Sequence, residues 1–140
     1  MGLYLCVFDG TDEDNELEGV EVGSYADFHS FRKTVAECLE NGEWGSRFPV
    51  VMGHHDCDGV WTAADAATLE RELLDIRAGL AQLPPVPFPA GWQAEVSRPQ
   101  GLRPGSLAAC FIDVDGEPLI DRLLQLTRVA QRQSLDIHFQ

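Results

Sequence analysis

Apolar residues recur every three or four positions between Thr62 and about Gln82, and this stripe is the feature that most constrains the fold. Its members are Ala66, Leu69, Leu73, Ile76 and Leu80. That spacing predicts an amphipathic helix with Thr62 as its N-cap and Asp65 at N3. The stripe is too short for a coiled coil, so we expect the helix to pack on a sheet formed by the same chain.

Several segments have the character of strands. Residues 3–8 are apolar on both alternating faces and predict a central strand that is covered on both sides. Residues 19–23 alternate and predict its hairpin neighbour. Residues 48–52 contain Pro49 near their start and predict an edge strand or extended segment. Residues 109–114 and 135–139 predict two further strands.

Two further helices are expected. Ser24 and Asp27 have the spacing of a capping box, and Asn41-Gly42 supplies a left-handed end for the helix between them. Pro118 fits the first turn of a final helix that ends at about Gln133. The prolines of residues 83–89 indicate an extended connector, and residues 92–98 a short helix. The prediction is one α+β domain over residues 1–140, with a small, mostly antiparallel sheet of about four to five strands against about three helices.

Charge narrows the class of partner. The chain has 23 acidic and 10 basic residues and a formal net charge of −13. Binding to nucleic acid or to an anionic membrane is disfavoured, because phosphate affinity depends on clustered Lys and Arg. No Lys or Arg precedes Arg32, and the acidic residues are densest in residues 9–18. This run is either a solvated hairpin loop or a negative patch that attracts a cationic protein.

The four cysteines are widely spaced and form no C-x-x-C pair. This spacing predicts reduced thiols in a cytoplasmic protein rather than a disulfide scaffold or a zinc ribbon. The apolar N-terminus lacks a basic leader, so we expect neither a signal peptide nor a membrane span. No motif indicates a nucleotide or another cofactor.

A second feature is the run His54-His55-Asp56-Cys57-Asp58-Gly59, which combines metal-ligand side chains with a turn dipeptide. Asp56, Asp58, Gly59, Thr62 and Asp65 fall where a calcium loop has positions 3, 5, 6, 9 and 12. His54 stands where that loop has Asp, and Pro49 lies where an entering helix is needed. If a metal binds, its ligands would be His54, Asp56, Asp58 and Asp65. Otherwise Asp58-Gly59 is the turn before the helix.

Asp113-Val114-Asp115-Gly116 repeats the Asp-x-Asp-Gly pattern before the last helix. The two carboxylates could meet the first pair in a metal or acid/base site, which would make the chain a small metal-dependent hydrolase. The simpler interpretation is a turn, with acids placed favourably beside a helix N-terminus.

Four stretches together are similar to a known bacterial family. They are residues 1–6 (Met-Gly-Leu-Tyr-Leu-Cys), residues 23–28 (Gly-Ser-Tyr-Ala-Asp-Phe), residues 56–61 (Asp-Cys-Asp-Gly-Val-Trp) and residues 111–119 (Phe-Ile-Asp-Val-Asp-Gly-Glu-Pro-Leu). Their order and spacing resemble the immunity protein 70 family of polymorphic toxin systems. The resemblance implies a cytosolic antidote that binds the C-terminal domain of a cognate toxin and has no catalytic activity.

The acidic composition agrees with such a role, since a toxin domain that acts on nucleic acid, such as a nuclease, needs a basic cleft. An anionic protein would associate with that cleft quickly and occlude it. The residues predicted to contact the partner are Asp9, Asp12, Glu13, Asp14, Glu16, Glu18, Asp56, Asp58 and Trp61. The sequence does not determine the oligomeric state.

Overall fold

The computed structural model describes residues 2–53 and 59–140, and for residues 12–14 the backbone alone. Its sheet has four strands: β1 (Gly2–Asp9), β2 (Asp12–Ser24), β3 (Val60–Trp61) and β4 (Ile137–Phe139). Their order is β2-β1-β4-β3, and every neighbouring pair is antiparallel. The hairpin of β1 and β2 is the largest part of the sheet, and β4 returns from the end of the chain to pair with β1.

Five helices occur in the described part of the chain, with the bounds α1 (Tyr25–Leu39), α2 (Pro49–Met52), α3 (Ala66–Leu80), α4 (Trp92–Gln100) and α5 (Leu119–Gln133). Short 3₁₀ turns span Ala63–Asp65 and Leu107–Cys110. The predicted α+β class and antiparallel sheet are confirmed. The short helix expected at residues 92–98 is confirmed as α4. Among the described residues, α2 is the one helix that the sequence did not predict.

Both ends of α1 are determined by residues next to them in the sequence. The Ser24 side chain accepts a hydrogen bond from the Asp27 backbone, and the Asp27 carboxylate accepts one from the Ser24 N–H, so the capping box is complete. After the helix, Asn41 and Gly42 adopt φ values of 53° and 80°. Both ends predicted from the sequence are confirmed.

One hydrophobic core cluster joins the helices to one face of the sheet. From β1 it takes Leu3, Leu5 and Val7, which alternate along the strand. The predicted stripe of α3 is buried, and all its members except Ala66 belong to this cluster. Tyr4, Cys6 and Phe8 point to the opposite face and lie outside the cluster. The expectation that β1 is covered on both sides by the core is therefore wrong, and the helices pack on one side of the sheet.

Two predicted strands are corrected. Residues 49–52 form helix α2 because the buried carboxylate of Glu72 accepts hydrogen bonds from the N–H groups of Val50 and Val51, at 3.1 and 2.9 Å, which satisfies a helix start. Residues 109–114 form the end of a 3₁₀ turn, a single bridge from Ile112 to Pro118, and a turn around Asp113. The last strand is shorter than predicted, at Ile137–Phe139.

The acidic run is mostly strand rather than loop. Only Gly10 and Thr11 connect β1 to β2, and β2 begins at Asp12. β2 is also an edge strand of the sheet, because it pairs with β1 alone. The carbonyl oxygens of Gly19 and Glu21 are bonded by Arg122 Nη2 and the Val114 N–H, at 2.7 and 3.2 Å, so part of its outer edge is already occupied.

Candidate partner-binding surface

The pairing of β1 with β2 sorts the acidic side chains onto two faces. Phe8 lies opposite Glu16 and Tyr4 opposite Glu21, on the face away from the core. Val7 lies opposite Glu18, on the core side. Glu16 and Glu21 are exposed. The acidic strand therefore presents only part of its charge to the outer face of the sheet.

Glu18 is held by the protein itself. Its Oε1 lies 3.4 Å from Arg122 Nη2, and its side chain is 30% exposed. It also accepts a hydrogen bond from the Gly19 N–H. Because its single charge is paired with Arg122, Glu18 offers less to a partner than Glu16.

Asp9 lies at the tip of the hairpin and shapes the turn. Its carboxylate accepts hydrogen bonds from the N–H and the hydroxyl of Thr11, at 2.9 and 2.8 Å. These bonds, led by the one from the Thr11 backbone, hold the pKa of Asp9 below its usual value, so the tip keeps its negative charge. The side chains of Asp12, Glu13 and Asp14 are outside the described part of the structure, and their role stays a prediction.

The outer face of the sheet is aromatic as well as acidic. Tyr4, Phe8 and His138 are half-buried there. Cys6, which lies between Tyr4 and Phe8 on the same face of β1, is fully buried. The rings of Phe8 and His138 are 5.3 Å apart. An antiparallel sheet with one covered face ordinarily presents polar residues on the other. Half-buried aromatic rings on this face are typical of a surface that another molecule covers.

Tyr4 is fixed in this surface by its neighbours on β2. Its hydroxyl donates a 2.6 Å hydrogen bond to Glu16, and its ring lies over Gly19, where a Cβ would collide with the phenol. Burial raises the pKa of Tyr4 far above its usual value of 10, and the bond to Glu16 adds to this. Burial, followed by the charge of Glu16, raises the pKa of Cys6 to about 11. Tyr4 therefore stays protonated and Glu16 stays its acceptor.

The sequence predictions missed the aromatic part of this surface. Residues 3–8 are apolar at every position, which hides the difference between the two faces of β1. The available signal was that Tyr4 and Phe8 share one alternating face with Cys6, whereas the other face is aliphatic. His138 has the same alternation in residues 137–139.

The second Asp-x-Asp-Gly corner is a turn in the structure. Asp113 is 2% exposed, and its carboxylate accepts hydrogen bonds from the N–H groups of Asp115 and Glu117 at 2.9 and 3.0 Å. Arg122 Nε lies 3.3 Å from its other oxygen. Asp115 is exposed to solvent. Asp113 is thus committed to the turn and to Arg122, which favours the turn interpretation over an acid/base pair.

The first corner contains most of the predicted metal ligands, and His54, Asp56 and Asp58 lie outside the described residues. Asp65, which is described, is exposed beside the Thr62 cap. In residues 2–53 and 59–140, no group of three His, Cys, Asp or Glu side chains is placed to hold a metal ion. Metal binding at this corner, and partner binding by Asp56 and Asp58, stay predictions.

Trp61 packs inside the protein. It is 3% exposed, its indole N–H donates to the Val50 carbonyl oxygen at 3.0 Å, and its ring lies 4.8 Å from that of Phe139. Its predicted contact with a partner stays a prediction, and its burial argues against it. The exposed tryptophan is Trp44, at 43%, stacked on His29.

Comparison with known families favours one of the classes that the sequence left open. The sequence model described as immunity protein 70 matches residues 3–139, nearly the whole chain. The chain belongs to the immunity protein 70 family. Membership in this family implies that the protein binds a cognate toxin and that its role is not enzymatic. No curated protein and no solved structure matches the chain. No helix in the described residues of this immunity protein has the length and apolar character needed to span a membrane.

Proposed function

We propose that this immunity protein neutralises the C-terminal domain of a cognate polymorphic toxin by covering a basic active-site cleft, such as that of a nuclease. The observation that carries the proposal is the outer face of the sheet, where half-buried aromatic rings lie beside the exposed carboxylates of β2. Aromatic anchors inside a polar rim are the usual composition of a strong protein interface.

Long-range charge supports a basic partner. The net charge of −13 is large for 140 residues, and the negative field accelerates encounters with a cationic surface. The side chains that we place at the centre of the interface are Tyr4, Phe8, Asp9, Glu16 and Glu21, and Asp12, Glu13 and Asp14 extend it at the hairpin. An arginine of the toxin could stack on Phe8 and approach Glu16, which lies opposite it.

We place this activity in the cytoplasm. Cys6, Cys38 and Cys110 are free cysteines, which is the usual state in a reducing compartment. A self-protecting cell would need its antidote in that compartment if the toxin attacks intracellular nucleic acid.

Coexpression with the toxin domain tests the proposal. Bacteria that express the toxin should survive with the wild-type protein and should lose protection with the double variant Phe8→Ser, Glu16→Gln. A matched control is Trp44→Ser, Glu43→Gln, which removes one exposed aromatic ring and one carboxylate elsewhere. Thermal melting of each purified variant shows whether it is folded. Full protection by the folded Phe8, Glu16 variant would exclude the outer sheet face as the contact surface.

A further inference from the structure

A separate apolar pocket of about 290 Å³ lies between α1, the proline-containing segment 86–89 and the start of α4. Its floor is built from side chains of the core, among them Val22, Ile112 and Leu119. The pocket opens to solvent beside exposed residues such as Glu37 and Pro87, and an open, mostly apolar pocket of this size is a usual place for a ligand or a partner side chain. The pocket is large enough for one long side chain.

The walls of the pocket are held in place by polar contacts. The Asp27 carboxylate accepts hydrogen bonds from Trp92 Nε1 and Gln93 Nε2, at 3.0 and 2.7 Å, which fixes the start of α4 against α1. On the other side, the Val86 N–H donates to Cys110 Sγ at 3.3 Å. Because both walls are tied to the core, the pocket does not need to form when a ligand enters.

The charges at the pocket all have one sign. Among the described residues that line it, Asp27 and Glu37 are the charged ones, and both are acidic. Burial tends to raise the pKa of Asp27, but hydrogen bonds from Ser24, Trp92 and Gln93 outweigh it and lower that pKa, so the carboxylate is ionised. Glu37 is 62% exposed and lies 4.0 Å from the equally exposed Lys33, a weak pairing that leaves it available.

The pocket is continuous with the acidic strand. A shallow groove that includes Glu21 and Gly23 of β2 shares three residues of α1 and α4 with the pocket, Asp27, Trp92 and Gln93. The groove and the pocket are therefore neighbours, and one molecule bound along β2 can contact both.

We propose that this pocket receives one lysine or arginine side chain of the toxin domain, with its aliphatic stem on the apolar lining and its charged head beside Glu37. Asp27 lies ten positions earlier on α1 and adds to the negative field of the pocket without touching that head. Long basic side chains bury their stems in this way while the charge stays near solvent. The inference rests on the proposed function, since it names a contact that the same partner makes beyond the outer sheet face.

Side-chain analogues test the pocket without the toxin. Titration of the ¹⁵N-labelled protein with n-butylguanidinium should shift the amide signals of Thr34, Cys38 and Gln93, with n-pentanoate binding at least about tenfold more weakly because of its opposite charge. Glu37→Gln should weaken guanidinium binding several-fold, whereas Asp75→Asn, which removes an exposed carboxylate from α3, should not. Equal binding of the two analogues, or shifts elsewhere, would overturn the proposal.

The affinity of pocket variants for the toxin domain provides a second test. Thr34→Phe fills the pocket from α1, and with Glu37→Gln it should lower affinity for the toxin at least about tenfold. If Thr34→Phe does not fold, the Glu37→Gln result decides alone. Unchanged toxin affinity in these variants, together with loss in the Phe8, Glu16 variant, would refute the pocket contact and leave the proposed function standing. Unchanged affinity in all of them would refute both surfaces.

Discussion

Nη2 of Arg122 lies 2.7 Å from the carbonyl oxygen of Gly19, so α5 is fastened to the outer edge of β2. The same guanidinium contacts Glu18 and the buried carboxylate of Asp113. One side chain therefore joins the acidic strand, the last helix and the turn that precedes it.

Arg122→Met should lower the free energy of unfolding by about 2–4 kcal/mol, because it leaves the Asp113 carboxylate buried without its cation. Urea unfolding measures this loss. Arg128→Met is the matched control: its partner is Glu70 at 2.9 Å, and its side chain is 48% exposed, so the expected loss is below about 1 kcal/mol. Equal losses in the two variants would contradict the structural role of Arg122.

Neutralising the hairpin should affect the rate of toxin binding rather than folding. The variant Asp12→Asn, Glu13→Gln, Asp14→Asn, Glu16→Gln should associate about tenfold more slowly at low salt, and its rate should depend less on ionic strength. Stopped-flow mixing at several salt concentrations provides the measurement. A control with four exposed carboxylates removed elsewhere, at Glu43, Asp65, Asp75 and Glu95, separates local steering from net charge. Identical rates for the two variants would show that the hairpin has no special part.

Gly19→Ala should displace the Tyr4 ring, since the new Cβ would occupy the space of the phenol. We expect a loss of about 1 kcal/mol in stability, from the broken bond to Glu16 and the disturbed packing. The losses of Gly19→Ala and Tyr4→Ala should not be additive, because the second change removes the group that the first one displaces. Additive unfolding free energies in the double variant would show that the two positions do not interact.

Glu72 should make stability depend on pH. Burial raises its pKa above the usual 4.5, although hydrogen bonds from Val51 and Val50 oppose the shift. The folded protein then binds this proton more tightly than the unfolded chain. Its contribution to stability is greatest at low pH and is lost as the pH rises from the unfolded value through the folded pKa.

Glu72→Gln removes this titration, so its stability relative to wild type should improve as the pH rises through that window and then stay constant. Denaturant unfolding from about pH 4 to about pH 8 measures the difference. Glu95→Gln, on the exposed side of α4, controls for the loss of a carboxylate. A relative stability that falls with pH would show that Glu72 titrates in the opposite direction.

Elements fixed by neighbouring residues were predictable from the sequence. The capping box of Ser24 and Asp27, the left-handed Asn41-Gly42 end and the apolar stripe of α3 all depend on contacts within a few positions, and each is confirmed. The hairpin partner of β1 was predictable for residues 19–23, because their alternation is local.

Elements that depend on contacts with distant residues were not predictable from the sequence. Residues 49–52 are helical because of Glu72, which is more than twenty positions away. The turn at Asp113 is held by Arg122, and the acidic run becomes a strand because β1 pairs along it. For the candidate surface, the sequence identified the charge but not the aromatic face, since only the packing shows which side of β1 the helices cover.

An edge strand with unoccupied backbone groups is ordinarily a template on which identical chains can stack. In this protein two carbonyls of that template are already filled from within the chain, by Val114 and Arg122. The rest of the strand is dense in carboxylates that repel a second copy. Both features disfavour the stacking of identical chains along β2, which protects a surplus of the antidote from edge-to-edge assembly at that strand.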